Sequence, residues 1–165
     1  MKIFLIIVLI FLIMLIATAV SQQYRDKYDF YLNLKNLLLK FKMNVTFKKE
    51  KILNFLNQQN GKKEFKLFIE DYKEYLTTNK INLENIKLLD ADEKTTLMSI
   101  LKQLGNYDTE NEIQQLQNFI NVIEEKLLKA KEETQKLCPM IIKLSLLFAI
   151  GLAIILVWGE YGNYI

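Results

Sequence analysis

Apolar side chains crowd the two ends of the chain and recur every three or four positions through most of what lies between. Residues 3–20 carry no charge, and neither do residues 144–158; the second run extends back to Met140 once Lys143 is accepted at its edge. A bilayer core about 30 Å thick takes roughly 20 apolar residues of helix to cross, and about 17 suffice. The pattern therefore predicts an N-terminal transmembrane anchor over 1–21 and a C-terminal transmembrane helix over 140–158. Between them lies a soluble domain, 22–139, and after them a short tail, 159–165.

The soluble part reads as all-helical. In 24–43 the stripe is Tyr24, Tyr28, Tyr31, Leu34, Leu38 and Phe41, the spacing of one helical face. Thr46 is placed to cap a second helix carrying Ile52, Phe55 and Leu56, with Gly61 as its stop signal. A third helix shows Phe65, Phe68, Ile69, Tyr72 and Leu76 and ends near Asn79. A short helical segment is expected over 83–89, and Asp92 reads as the N-cap of a helix bearing Leu97, Ile100, Leu101 and Leu104. The longest pattern is Ile113, Leu116, Ile120, Ile123, Leu127, Ala130, Thr134 and Leu137. It predicts a heptad-type helix over 109–137, opened by the capping box Thr109-x-x-Glu112. Its seam packs either within the same bundle or against a partner helix. The fold class is thus a bundle of about five or six helices between two transmembrane helices.

Composition narrows the chemistry. The chain has no histidine and a single cysteine, Cys138, beside the single proline, Pro139. A His/Cys zinc site, a Ser-His-Asp or Cys-His nucleophile and an intrachain disulfide are excluded. Gly61 and Gly105 are isolated, so no phosphate-cradling loop is present. Asp90, Asp92 and Glu93 form the one dense carboxylate cluster, which a helix N-terminus accounts for. A net charge of +3, with Lys and Glu interspersed, argues against nucleic-acid binding. No cofactor, metal or small-molecule substrate is expected, and the chain reads as a non-enzyme.

Lysines set the orientation. Arg25, Lys27, Lys35 and Lys40 follow the first span, and Lys126, Lys129, Lys131, Lys136 and Lys143 precede the second, against only Lys2 on the other side. That excess predicts a cytoplasmic middle with both termini outside. The competing reading is a cleaved signal peptide, with Ala17-Thr18-Ala19 as its small-x-small site. It would make the middle an exported helical sensor or ligand-binding module held by the C-terminal span. In that span Ser145, Ala149 and Ala153 repeat at four-residue intervals, a pattern that lets a second helix approach closely.

Between the two final helices of the soluble part stands Leu104-Gly105-Asn106-Tyr107-Asp108-Thr109-Glu110-Asn111-Glu112. Gly105 can end one helix and Asp108 or Thr109 can cap the next, so a helical corner accounts for it. The same residues resemble the stage III sporulation protein AB family. Its LG-x-x-D-x-x-x-Q signature is matched by Leu104, Gly105 and Asp108, with Glu112 in place of the glutamine. Lys143 and Leu144 match the opening of the family's last span, and Ser145 and Ala149 stand where it has glycines. The resemblance implies a membrane-anchored scaffold or coupling subunit of the apparatus linking mother cell and forespore. It also implies a partner ATPase, stage III sporulation protein AA, and companion membrane proteins. The motif residues Leu104, Gly105, Asp108 and Glu112 are then candidates for partner contact.

Overall fold

A computed structural model describes residues 2–47, 52–104 and 109–161 of the chain. They form five helices: α1 (Lys2–Phe47), α2 (Ile52–Asn57), α3 (Lys63–Thr78), α4 (Ala91–Gln103) and α5 (Thr109–Tyr161). No strand occurs among the described residues, as the sequence leads one to expect. The chain divides into two compact units, one made of Met1–Arg25 with Lys131–Ile165, the other of Asp26–Ala130.

The larger unit, Asp26–Ala130, is a helical bundle around one apolar core. α1 presents Phe30, Tyr31, Leu34, Leu37, Leu38 and Phe41, all buried, at the three- and four-residue steps of a single face. α5 answers with Leu116, Phe119, Ile120, Ile123 and Leu127. Lys35 pairs with Glu124 at 2.6 Å. Seven residues later on α1 and seven earlier on α5, Lys42 donates to Gln117 at 2.8 Å. Equal and opposite steps mean that the two helices run antiparallel here. Between them α3 inserts Phe65, Phe68, Ile69 and Tyr72. Phe68 meets Phe30 edge-on at 5.7 Å and stacks on Tyr72 at 6.5 Å, geometries that suit the ring quadrupoles.

Local chemistry explains where the elements stop. α3 ends at Asn79, whose N–H still donates to the Tyr75 carbonyl at 2.8 Å while its left-handed φ of 58° turns the chain out of the helix. α2 ends as Gln58 and Gln59 bond back to the Phe55 and Leu56 carbonyls. Gly61 has a packing role: a Cβ there would overlap the ring of the buried Phe65.

Four local expectations change. Residues 83–89 are turns, not helix. Leu83, Ile86 and Leu89 are all buried, which produces the helix-like spacing. However, the Asn82 side chain accepts the Glu84 N–H at 2.9 Å, a local bond that competes with a helical start. The cap of α4 is Asp90, not Asp92. Thr46, expected at the start of the second helix, lies within α1. The helix expected over 109–137 continues as α5, through Pro139, to Tyr161.

The other unit, Met1–Arg25 with Lys131–Ile165, pairs the apolar parts of α1 and α5. Thr134 donates its hydroxyl to the Tyr24 carbonyl at 3.1 Å, and the Cys138 thiol donates to the Ser21 carbonyl at 3.4 Å. Both helices are long and apolar enough to cross a membrane, and their outer faces show Phe4, Phe11, Leu147, Phe148 and Ile155 largely bare.

Candidate functional site

Three places concentrate the residues singled out by the sequence: the corner between α4 and α5, the first turn of α4, and the paired apolar segments.

At the corner, Leu104 closes α4 by donating its N–H to the Ile100 carbonyl at 3.1 Å, and its side chain is buried. Gly105 and Asp108, with the two residues between them, lie outside the described residues, as does the Thr109 side chain of the expected capping box. Glu112 follows in the first turn of α5 and is only 3% exposed. Leu104 and Glu112 thus act inward, on the bundle. Tyr72 of α3, 2% exposed, lies within electrostatic reach of Glu112, and its hydroxyl has no hydrogen-bond partner among the described residues. Burial, and after it the Glu112 carboxylate, pushes the Tyr72 phenol far above its ordinary range. The sequence alone gives no sign that these two residues, forty positions apart, share one buried environment.

The first turn of α4 is an ordered electrostatic node. Asp90 accepts the Glu93 N–H at 2.8 Å, and Glu93 accepts the Asp90 N–H at 3.0 Å, a complete capping box. The Glu93 N–H bond, ahead of the nearby Lys27 and Lys126, holds the Asp90 carboxyl below its usual range. Glu93 also takes the ammonium of Lys27 of α1 at 2.8 Å, and its side chain is only 7% exposed. Two of the three carboxylates clustered in the sequence, Asp90 and Glu93, therefore form a helix cap that Glu93 ties to α1. A second tie joins Lys62, which precedes α3, to Asp26 at 3.1 Å and to Asp29. Those bonds, Asp29 first, raise the Lys62 ammonium above its ordinary range. Among the described residues no group of His, Cys, Asp and Glu is arranged to hold a metal.

In the paired apolar segments Ala149 is 1% exposed, and Ser145 and Ala153 are half-buried on the same face. Ala17, Ser21 and Cys138 are buried too. Equal steps from the Ser21–Cys138 bond bring Ala17 level with Ile142 and Ala149 level with Ile10, both half-buried isoleucines. That register sets small side chains on each helix level with large ones on the other, a pattern that lets two backbones approach closely.

These features match a known protein family along almost the whole chain. The sequence model for stage III sporulation protein AB matches residues 2–157, taking in both apolar segments and every helix of the bundle. The chain belongs to the stage III sporulation protein AB family. It therefore has a role in stage III of sporulation, and its two apolar helices fit association with a membrane. No curated protein and no solved structure matches the chain.

Proposed function

We propose that this chain is a non-enzymatic, membrane-anchored coupling subunit of the apparatus between mother cell and forespore, docking a partner ATPase on its helical bundle. The observation that carries the reading is the family match, which spans both apolar segments as well as the bundle. Two further features support it. α1 and α5 each run without a break from an apolar segment into bundle residues, so load on the bundle acts on helices that also carry the apolar segments. Asp90 and Glu93 are engaged in the α4 cap and with Lys27, which leaves them little resemblance to an acid/base pair.

In this reading the bundle is cytoplasmic and both termini face away from it, in keeping with the Lys and Arg flanking the apolar runs. The motif residues Leu104, Gly105, Asp108 and Glu112 remain the candidate partner contact in this reading, with Leu104 and Glu112 buried in the bundle. The decisive experiment is a mild-detergent pull-down of the tagged full chain from sporulating cells. Recovery of an ATPase with companion membrane proteins supports coupling; its absence from an otherwise intact membrane complex refutes docking. Asn60→Cys, at an exposed position, separates the alternative exported sensor. Labelling by an impermeant thiol reagent in intact cells places the bundle outside and overturns the reading.

A further inference from the structure

Lys143 is an exposed cation set inside an apolar band. Its neighbours on α5, Met140, Leu144 and Leu147, are each at least half exposed. It lies five residues, about 7.5 Å of helix, beyond the buried Cys138–Ser21 contact, level with Ile16 in the uncharged run of α1. The sequence around it offers no carboxylate: residues 1–25 and 134–159 contain no Asp or Glu. An ammonium left unpaired at that depth is costly, and a counter-charge from outside the chain would relieve that cost.

Geometry identifies where that counter-charge lies. Side chains of a helix lean toward its N-terminus, so the Lys143 stem leans back along α5 toward Lys136 rather than deeper into the apolar run. Lys136 is seven residues earlier, two turns away on the same face, and holds only the exposed Glu132 at 3.3 Å. Two lysines on one exposed face, with Pro139 and Met140 between them, suit an anion at the boundary whose body is apolar.

We infer that the Lys136–Lys143 face of α5 binds an anionic phospholipid, its phosphate held by the Lys143 ammonium and its acyl chains lying along Met140, Leu144 and Leu147. The site rests on the membrane reading of α5 proposed above. Attraction of one lysine to an anionic headgroup corresponds to roughly a fivefold preference over a zwitterionic lipid.

The test uses the full chain in nanodiscs of phosphatidylcholine with a minority of phosphatidylglycerol, with spin-labelled forms of each lipid reporting those immobilised by the protein. The native chain is expected to prefer phosphatidylglycerol about fivefold or more. Lys143→Gln loses most of that preference, Lys136→Gln part of it, and Lys143→Arg retains it. Lys131→Gln, on a different face, keeps it. Circular dichroism confirms that each variant stays folded. Equal preference in Lys143→Gln and the native chain overturns the site, as does an equal loss in Lys131→Gln, which would show only diffuse charge. Competition by soluble glycerol phosphate overturns the lipid as occupant. A chain that fails to enter the nanodisc refutes the membrane reading itself, whereas entry without preference refutes only this inference.

Discussion

Removing Lys27 should loosen α4 specifically, by an amount the structure bounds. The Glu93 side chain is 7% exposed and holds two partners, the Asp90 N–H at 3.0 Å and the Lys27 ammonium at 2.8 Å. Stripping the partner from a fully buried ion costs about 3–5 kcal/mol. Lys27 is 23% exposed and Glu93 keeps its backbone donor, so Lys27→Met should cost about 2 kcal/mol, below that limit. Glu93→Gln keeps the reciprocal capping bond, because an amide oxygen also accepts the N-cap N–H, and should cost about 1 kcal/mol. In the double variant the stranded charge is gone, so its cost should lie well below the two single costs combined, with a coupling of about 1.5 kcal/mol. Amide exchange of residues 91–103 in mild detergent reads this directly. At about 1.4 kcal/mol per decade, Lys27→Met speeds exchange there roughly 30-fold. Additive effects within a few tenths of a kcal/mol would refute a coupled node, and so would unchanged exchange in Lys27→Met.

Three further outcomes are expected. Tyr72→Phe deletes a buried hydroxyl that has no partner among the described residues and should slow exchange across α3, a gain of about 1 kcal/mol; faster exchange would point to a bond the hydroxyl makes. Burial, then Glu74 and Glu70, raises the Asp71 carboxyl above its ordinary value, so ionising it on the fold is unfavourable. Its contribution is present below the unfolded-state value and is lost as pH rises through the folded one. Asp71→Asn should therefore stabilise the bundle near neutral pH and change little in acid, by tenths of a kcal/mol because the group is only partly buried; a pH-independent effect in thermal melts would contradict this. Ala149→Leu forces volume into a site 1% exposed and should cost about 1–3 kcal/mol in detergent. Gly151→Ala, where a Cβ meets nothing within 4 Å, should be neutral or stabilising. Equal effects of the two would refute the packing of α1 on α5.

Much of the bundle was legible because its core repeats at helical spacing. Tyr31, Leu34, Leu38 and Phe41, Phe65 to Tyr72, and Leu116 to Leu127 are buried where their periodicity places them. What failed was local. Leu83, Ile86 and Leu89 keep a three-residue spacing in a stretch of turns, since a buried loop can place apolar side chains at that interval as well as a helix can. Asp90 and Asp92 are two residues apart and equally suited to a cap; only the reach of Glu93 back to the Asp90 N–H decides between them. Of the candidate motif, Leu104 and Glu112 proved to be buried anchors, and the placement of Glu112 beside Tyr72 is a tertiary fact with no sequence signature. The small-residue repeat in the second apolar run was legible in outline, but its partner surface, Ile10 and Ala17 on α1, required the register fixed by Ser21 and Cys138.

Pro139 shows why reading a helix boundary from one residue misleads in a chain like this. A proline in a helix interior removes the bond to the carbonyl four residues back, here Gln135, and presses its ring on that carbonyl, at about 3 kcal/mol. In an isolated helix that would be decisive. In α5 the helix continues through the proline, with the turn before it bonded to α1 and Ala149 buried beyond it. Thr134 is bonded to the Tyr24 carbonyl, Cys138 to the Ser21 carbonyl, and Ala149 is buried a few turns on. Ending the helix at Pro139 would give up the burial of Ala149 and, in an apolar surrounding, expose several further backbone groups with no partner, each costing more than the one bond lost. The continuity of α5 is thus a product of its packing on α1. It follows that weakening that packing should expose the proline's cost. In Ala149→Leu, exchange should rise first at residues 135–140, beside Pro139, before it rises at 116–127 in the bundle core. Uniform exchange along α5 would show that the helix holds together without α1, and the reasoning would be wrong.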